Sequence, residues 1–238
     1  MIPEIPLDGF LEEMVAARDQ IEVLQADYVQ VNRTDDDEFE TTGVLLYAKP
    51  RRIVFRNDEA VLLVDNLRIY DYEEELQQLQ IWDQEDDPRA EALFLGFDSD
   101  LGRLKEAYEL ELFDAGDEED AFVGLLLTPK PAGQDEDPFF KRVRLYLRAG
   151  DYLPVKIQVI NEDLTQVITV LKNIVINEPV AAELTQIVLP GGVKIVENDV
   201  PVATSPPDGM TLPEAIVPDL GPPLEIEEQI EPLPTEAE

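Results

Sequence analysis

The chain contains the stretch RVRLYLRAGDYLPVKIQVI at residues 142–160, in which two runs alternate between apolar and polar side chains. A period of two places successive side chains on opposite faces of a β-strand. The short connection between the runs favours antiparallel pairing over a βαβ unit. The stretch therefore predicts two neighbouring strands with one apolar face and one solvated face. The apolar positions are Val143, Leu145, Leu147, Val155, Ile157 and Val159.

Similar short runs occur in both directions along the chain. Residues 65–66 are Asp-Asn, a good turn pair between two of these runs. No long helical pattern separates the runs, so we expect one extended antiparallel sheet. The predicted strands begin near residue 21 and include residues 42–48, 52–56, 60–64, 67–72, 76–82, 108–114, 121–128 and 165–175.

The helical material predicted by the sequence is short. Residues 8–20 have an apolar stripe at helical spacing, and Asp8 is a candidate cap. Asp86-Asp87-Pro88 predicts a helix start before residues 89–97, and a second short helix follows at 101–107. This is too little to cover a long sheet, but it is enough to close the mouth of a barrel. The apolar face then either encloses a cavity for an apolar ligand or packs into a solid core.

The composition excludes several classes of function. The chain has 53 acidic and 18 basic residues among 238, giving a net charge of −35. Such a surface repels nucleic acid, and it should keep the protein monomeric. Histidine and cysteine are both absent, which removes the commonest general base, disulfides and zinc sites of the usual type. We therefore expect no cofactor, no metal and no nucleic-acid partner.

The two ends of the chain differ from its middle. Residues 1–6 lack the basic and apolar regions of a signal peptide, so we expect either a cytosolic protein or a processed form, and we favour the processed form. Residues 199–238 contain nine prolines and ten acidic residues without any basic residue. That composition is typical of disorder. We therefore divide the chain into a folded domain at 1–198 and an acidic tail at 199–238.

Six segments, in order, resemble the LolA family of periplasmic lipoprotein carriers. Each is weak alone, but their order and the helical material between them strengthen the resemblance, which spans roughly residues 8–197. The segments are LQADYVQ at 24–30, GVLLYAKPRRIVF at 43–55, LVDNLRIYDY at 63–72, LLLTPK at 125–130, LPVKI at 153–157 and PGGVKI at 190–195.

The resemblance implies a fold that is mainly β with short helices, a half-closed antiparallel β-barrel whose N-terminal and central helical lids enclose an apolar cavity. It implies lipid-cavity residues, which strand parity predicts to be Leu45, Tyr47, Ile53, Phe55, Leu62, Ile69, Val143, Leu145, Leu147, Ile157 and Val159. The expected lid residues are Phe10, Leu11, Met14, Leu93, Phe94, Leu95 and Phe97.

The resemblance also implies a latch that holds the lid shut. The family usually has Arg before the proline of the second segment, and this chain has Lys49 there. An ammonium is a point donor, whereas a guanidinium can bond two carbonyls, so a Lys49 latch should be looser. Arg51 or Arg52 is an alternative latch, and Lys49 as an ordinary rim charge is another interpretation.

The function implied by the resemblance is carriage of lipoproteins through the periplasm towards the outer membrane. The implied partners are acylated lipoproteins, an inner-membrane ABC-type lipoprotein release complex and an outer-membrane receptor. We expect no enzymatic activity. One alternative is a lipid- or lipoprotein-sensing regulatory module of the same fold, in which the tail binds a partner. Another is an enzyme that uses Asp or Glu in a polar pocket.

Overall fold

The computed structural model describes residues 6–34, 36–66, 68–83, 94, 96–98, 100–118, 120–130, 140–201 and 209–212. Within these residues the protein is mainly β, with two short α-helices and one large sheet. This confirms the predicted class of a β protein with little helix. No helix among the described residues is long and apolar enough to cross a membrane.

The helices are α1 (Leu7–Arg18) and α2 (Leu101–Ala107), and a 3-10 turn covers Ala182–Thr185. The strands are β1 (Val23–Arg33), β2 (Glu38–Ala48), β3 (Arg52–Arg56), β4 (Ala60–Asp65), β5 (Arg68–Glu73), β6 (Gln78–Asp83), β7 (Tyr108–Phe113), β8 (Val123–Pro129), β9 (Arg142–Leu147), β10 (Pro154–Ile160), β11 (Gln166–Ile176), β12 (Ile187–Leu189), β13 (Lys194–Glu197), β14 (Val200–Pro201) and β15 (Met210–Leu212).

Thirteen strands form one sheet in the order β14-β13-β6-β5-β4-β3-β2-β1-β11-β10-β9-β8-β7. Consecutive strands pair as antiparallel hairpins, and β1 joins the two halves by pairing with β2 on one side and β11 on the other. The expectation of purely antiparallel pairing is wrong at one place, because β13 runs parallel to β6. Strands β7 and β14 are the sheet edges in the described part of the chain. Closure into a barrel therefore stays a prediction.

Strand register places the apolar side chains of the two halves on one face, here called the lid face. Leu45 lies opposite Ala26 and Phe55, and Ile157 lies opposite Leu145 and Thr169. Because neighbouring residues across a ladder point to the same side, the register carries this face from β6 through β1 to β7. The opposite side of the sheet is called the outer face.

The outer face of β2–β6 is also apolar, and the C-terminal part of the chain covers it. Leu46, Val54 and Leu63 on this face are buried against Ile187, Leu189 and Val193. Strand β15 pairs with β12, and Leu212 packs against the same cluster. Part of the stretch 199–238 is therefore strand that packs on the sheet, although its composition favoured a tail from residue 199 onward.

Local sequence explains where the helices begin. Helix α2 starts after Asp100, whose side chain accepts hydrogen bonds from the backbone of Gly102 and Arg103. This satisfies N–H groups that have no partner within the helix. The prediction that Asp8 caps α1 is wrong, because Pro6 is the N-cap and Asp8 lies in the first turn. There the Asp8 carboxylate still complements the positive end of the helix.

The predicted helix at 101–107 is confirmed. Of the predicted helix at 89–97, residues 89–93 and 95 lie outside the described residues. Phe94 is in a helical turn closed by hydrogen bonds from the N–H groups of Phe97 and Asp98 to its carbonyl. Strand β2 begins at Glu38, four residues earlier than the strand predicted at 42–48.

Strand β12 allows a test of the outer cover with a control on the same strand. Ile187 is buried and Val188 is 54% exposed. We expect Ile187→Ala to lower the free energy of unfolding by about 2–5 kcal/mol, because it leaves a cavity against the sheet. Val188→Ala should change it by less than about 0.5 kcal/mol. Urea unfolding followed by circular dichroism measures both, and equal effects of the two substitutions would show that β12 is not docked.

Candidate functional site: the covered lid face

Helix α1 covers the lid face of β7–β10. Its buried side chains Phe10, Leu11 and Met14 belong to one apolar cluster with the inward residues of these strands. The Phe10 ring meets the Tyr152 ring edge to face, with centroids 5.2 Å apart. The helix is amphipathic at i, i+3 and i+4, which is why one stripe of it faces the sheet. The strand residues in the cluster are Tyr108, Val123, Leu125, Leu127, Val143, Leu145 and Leu147.

A second element covers the other half of the lid face. We call it the Phe94 segment, and its described residues are 94 and 96–98. Phe94 is fully buried and Phe97 nearly so, in a cluster that includes Leu45, Tyr47 and Ile53. The Phe97 and Tyr47 rings stack with centroids 5.5 Å apart. Two short apolar elements thus cover the face that the sequence predicted to be a cavity wall.

Cations from the turn between β2 and β3 hold both covers through backbone carbonyls. Lys49 Nζ donates a hydrogen bond to the carbonyl of Asp19, at the end of α1, at 2.7 Å. Arg51 Nη1 donates to the carbonyl of Asp98 at 3.1 Å, and its guanidinium lies 4.2 Å from the centre of the Phe94 ring. One turn therefore contacts α1 through Lys49 and the Phe94 segment through Arg51. The role of Lys49 as a lid latch stays a prediction.

Arg18, on the last turn of α1, is a buried cation at the junction of the two covers. It is 6% exposed, and its Nη2 donates to the carbonyl of Tyr152 at 2.5 Å. Its Nε is buried without a hydrogen-bond partner among the described residues. Burial lowers the pKa of Arg18 to about 9, and the charge of Asp151 partly opposes this. The side chain is therefore still charged at neutral pH, in a position where an incompletely paired charge is costly.

The turn between β9 and β10 presents the carbonyl that Arg18 binds. Asp151 in this turn accepts two hydrogen bonds from Arg148 Nε and one from Arg148 Nη2, and it also accepts from the backbone of Leu153. Burial alone would raise the pKa of Asp151, but these hydrogen bonds override it and hold the pKa below the ordinary aspartate range. The ionised carboxylate thus fixes the turn that carries Tyr152.

The predicted cavity residues all fall on the lid face. Six are buried beneath the two covers, namely Leu45, Tyr47, Ile53, Val143, Leu145 and Leu147. The other five, Phe55, Leu62, Ile69, Ile157 and Val159, are only half-buried. The lid face therefore continues, apolar and partly exposed, beyond the area that the covers fill. Of the predicted lid residues, Leu93 and Leu95 lie outside the described residues.

The lid face becomes polar towards β5 and β6. Asp71 is half-buried and lies opposite Gln80 across the ladder. Burial, and then the charge of Glu73, raise the pKa of Asp71. Burial and then the charge of Asp98 raise the pKa of Tyr47, so its phenol stays protonated at neutral pH. This corner of the lid face is therefore more polar than the part beneath the covers.

Two spaces border the covers and the outer face. A pocket of about 30 Å³ lies where α1 meets the Phe94 segment, and its lining includes Arg18, Lys49 and Phe97. Its volume suits one or two water molecules. A larger space of about 300 Å³ lies on the outer face between the β3–β4 turn and β12, lined partly by Arg56 and Tyr72.

Sequence reasoning did not single out Arg18 and weighed Arg51 only as a substitute latch. Arg18 lies four residues after Met14, so the helical period places it on the buried stripe of α1. A charged residue at an apolar position of a periodic stripe is the signal that could have found it. Arg52, the other substitute, instead forms an ion pair with Asp65 at 3.2 Å.

No protein-family model matches the chain. No curated protein sequence matches it significantly. Its fold is similar to that of an uncharacterized conserved protein from Thermus thermophilus, with a TM-score of 0.45 and 14% identity, covering 79% of this chain and 99% of that one.

Two further solved structures are similar at the same low level. One is a putative outer membrane lipoprotein-sorting protein domain from Vibrio parahaemolyticus, with a TM-score of 0.41 and 10% identity, covering 74% of this chain and 94% of that one. The other is a LolA superfamily protein from Nitrosomonas europaea, with a TM-score of 0.39 and 10% identity, covering 73% and 96%. Likeness at this level identifies neither a ligand nor a partner for this chain.

The contacts of Arg51 predict how firmly the Phe94 segment is held. Arg51→Met removes a hydrogen bond and a cation–π contact, together worth about 1–2 kcal/mol. We expect faster hydrogen exchange at the amides of Phe97 and Asp98, both of which donate to the Phe94 carbonyl. Arg33→Met, which removes an exposed cation from β1, should leave these amides unchanged. Unchanged exchange in Arg51→Met would mean that Arg51 does not hold the segment.

The lowered pKa of Asp151 predicts a stability contribution that depends on pH. Because the folded pKa lies below the unfolded one, the contribution is complete above the ordinary aspartate pKa and is lost as the pH falls through the folded pKa. We expect Asp151→Asn to cost about 1 kcal/mol at pH 6, since the pair with Arg148 is only partly shielded from water. The difference from the wild type should vanish towards pH 2. Urea unfolding across this range measures it, and a difference independent of pH would refute the role of the ionised carboxylate.

Proposed function

We propose that the chain binds the acyl chains of lipids or lipoproteins on the lid face, in exchange for its own covers. The observation that supports this most directly is the apolar, layered contact of Phe94 and Phe97 with Leu45, Tyr47 and Ile53. The contacts that fasten the described residues of the Phe94 segment include the stack of Phe97 on Tyr47 and the hydrogen bond from Arg51 to Asp98. When the element leaves, an apolar surface is uncovered that needs a new apolar partner.

The exchange keeps the net binding energy moderate. Burying a methylene group is worth about 0.8 kcal/mol, so one long acyl chain would gain roughly 10 kcal/mol on a bare apolar surface. Displacing Phe94 and Phe97 offsets much of this gain, because their own burial is lost at the same time. A carrier needs such an offset, since a ligand that binds too tightly cannot be passed on.

The half-buried part of the lid face gives the acyl chain a path beyond the covers. Ile157 and Val159 continue the α1 cluster, and Phe55 and Ile69 continue the Phe94 cluster. Because both groups lie on one face of a continuous sheet, a chain several methylenes longer than the covered area still finds apolar contacts. The curvature of such a surface into a half-closed barrel would wrap the ligand and exclude water.

The wider role that we propose is carriage of acylated lipoproteins through the periplasm, from an ABC-type release complex towards an outer-membrane receptor. The net charge of −35 supports a protein that stays in solution and away from anionic membrane surfaces between binding events. We propose a binding role without catalysis, because the strand side chains beneath the covers are apolar and Asp71 lies at the far corner of the sheet.

Displacement of an environment-sensitive fluorescent apolar probe tests the binding proposal. A synthetic triacylated lipopeptide should displace the probe from the purified full chain, and the same peptide without acyl groups should not. If the probe does not bind, or both peptides displace it equally, the acyl-binding proposal fails.

Phe94→Glu tests the exchange of cover for ligand. A carboxylate at this position carries a high desolvation cost even with Arg51 close by, because the surrounding cluster is apolar. The Phe94 segment is therefore expelled, and the face is exposed in a larger fraction of molecules. Because apparent affinity rises with that fraction, we expect the lipopeptide to bind about tenfold more tightly or better. Phe122→Glu places the same charge at a side chain that is already 44% exposed, and it should leave affinity unchanged. Unchanged affinity in Phe94→Glu would show that the segment does not compete with the ligand.

A further inference from the structure

Arg18 lies at a position where a purely apolar ligand would offer its guanidinium no hydrogen-bond acceptor. Its guanidinium is more than nine-tenths buried beside the apolar side chains Met14 and Phe97. One nitrogen is bonded to the Tyr152 carbonyl, and Nε lines the junction without a described partner. A buried donor without a partner costs free energy, more so when it is charged. Such a group favours a ligand that brings an acceptor to it.

The proposed exchange would also remove one hydrogen-bond acceptor from a second guanidinium nearby. Arg51 donates to the carbonyl of Asp98 and packs over Phe94, and both contacts are lost when the Phe94 segment leaves. In this proposal only the Phe94 segment leaves, so Lys49 keeps its bond to Asp19 at the end of α1. The departing segment thus opens the space beside Arg18 and releases Arg51 from two contacts at the same moment.

The charges around the junction favour a neutral acceptor over an anion. Lys49 has Glu22 at 3.8 Å, and Asp98 and Asp19 line the same pocket as Arg18. Asp151 contributes a further negative charge close to Arg18. These carboxylates balance the cations, so the junction carries little net positive charge. The acceptors that the cations bind in the closed state are themselves neutral carbonyl oxygens, of Tyr152, Asp19 and Asp98.

We propose that Arg18 and Arg51 form a head-group subsite that binds the ester or amide carbonyl oxygens at the head of an acylated ligand. The proposal rests on the acyl-binding function proposed above and names the ligand chemistry of the same site. The apolar lid face takes the chains, and the two guanidiniums replace the departing backbone carbonyl with carbonyls of the ligand. The site therefore selects acyl esters and amides over alkyl ligands of equal length that lack carbonyls.

A pair of ligands that differ only in these carbonyls tests the subsite. Dipalmitoylglycerol carries two ester carbonyls, and dihexadecylglycerol ether has chains of equal carbon number with ether oxygens, which are weaker acceptors. We expect the wild type to bind the ester about ten- to a hundredfold more tightly, as measured by displacement of the apolar probe. The Arg18→Met variant should bind the ester only as tightly as it binds the ether. Its affinity for the ether should be no lower than that of the wild type. A wild type without ester preference, or an Arg18→Met variant that keeps it, overturns the subsite.

Two further variants separate the subsite from folding and from net charge. Arg51→Met changes a less buried side chain, and it should reduce the ester preference even if Arg18→Met does not fold. Arg33→Met removes the same charge at an exposed site on β1 and should keep the full preference. Loss of preference in Arg33→Met would mean that overall charge causes it, which overturns the proposal.

The two ligands also separate this inference from the proposed function. If neither the ester nor the ether binds the wild type, the acyl-binding function itself fails. If ester and ether bind equally well, acyl binding stands and only the subsite fails. Repeating the comparison of wild type with Arg18→Met using the triacylated lipopeptide identifies the source of the carbonyls. A loss of affinity for the lipopeptide, the glyceride or both supports the subsite, and no loss for either overturns it.

Discussion

The structure depends on one constraint, which is that a sheet with apolar side chains on both faces must be covered on both. In β2–β4 consecutive residues alternate between two apolar faces, as Leu45, Leu46 and Tyr47 show. A sheet buried on both sides cannot be stabilised by pairing alone, because each uncovered apolar face costs free energy in water. The chain meets this requirement with two kinds of cover that differ in size and fastening.

The cover of the outer face belongs to the core, whereas the cover of the lid face is made of short separate elements. On the outer face, β12, β13 and β15 pair with other strands while their side chains pack, so hydrogen bonds and burial support each other. On the lid face, the Phe94 segment has no strand partner in the described residues, and its fastenings include one guanidinium and a stacked ring. The described residues of the Phe94 segment form no strand ladder, and for this reason we place the proposed ligand exchange on the lid face.

The cations at the junction of the two covers bind the same chemical group in the closed state that we propose they bind in the ligand. Arg18, Lys49 and Arg51 each bind a backbone carbonyl of another element, so the closed state is fastened by the same type of bond that an acyl ester or amide can make. Because the same type of hydrogen bond would form with the proposed ligand, the closed state and the proposed ligand-bound state would differ little in free energy. In such a protein, small changes at the junction shift the balance between them.

The sequence determined the class of fold because the alternation of apolar and polar residues is a local pattern that is visible in each strand separately. The two runs within residues 142–160 predicted β9 and β10, and their parity placed Leu145 and Ile157 on one face together. The lid-face positions of Leu45, Tyr47 and Ile53 followed from the same rule.

Only the tertiary structure decided which acceptor each cation binds. Pairs such as Arg18 with Tyr152 and Arg51 with Asp98 join residues far apart in the chain. Local sequence periodicity contains no information about such long-range contacts. It also decided that Leu212 packs on the outer face, because an acidic, proline-rich composition describes average solvation and not the few apolar side chains that dock.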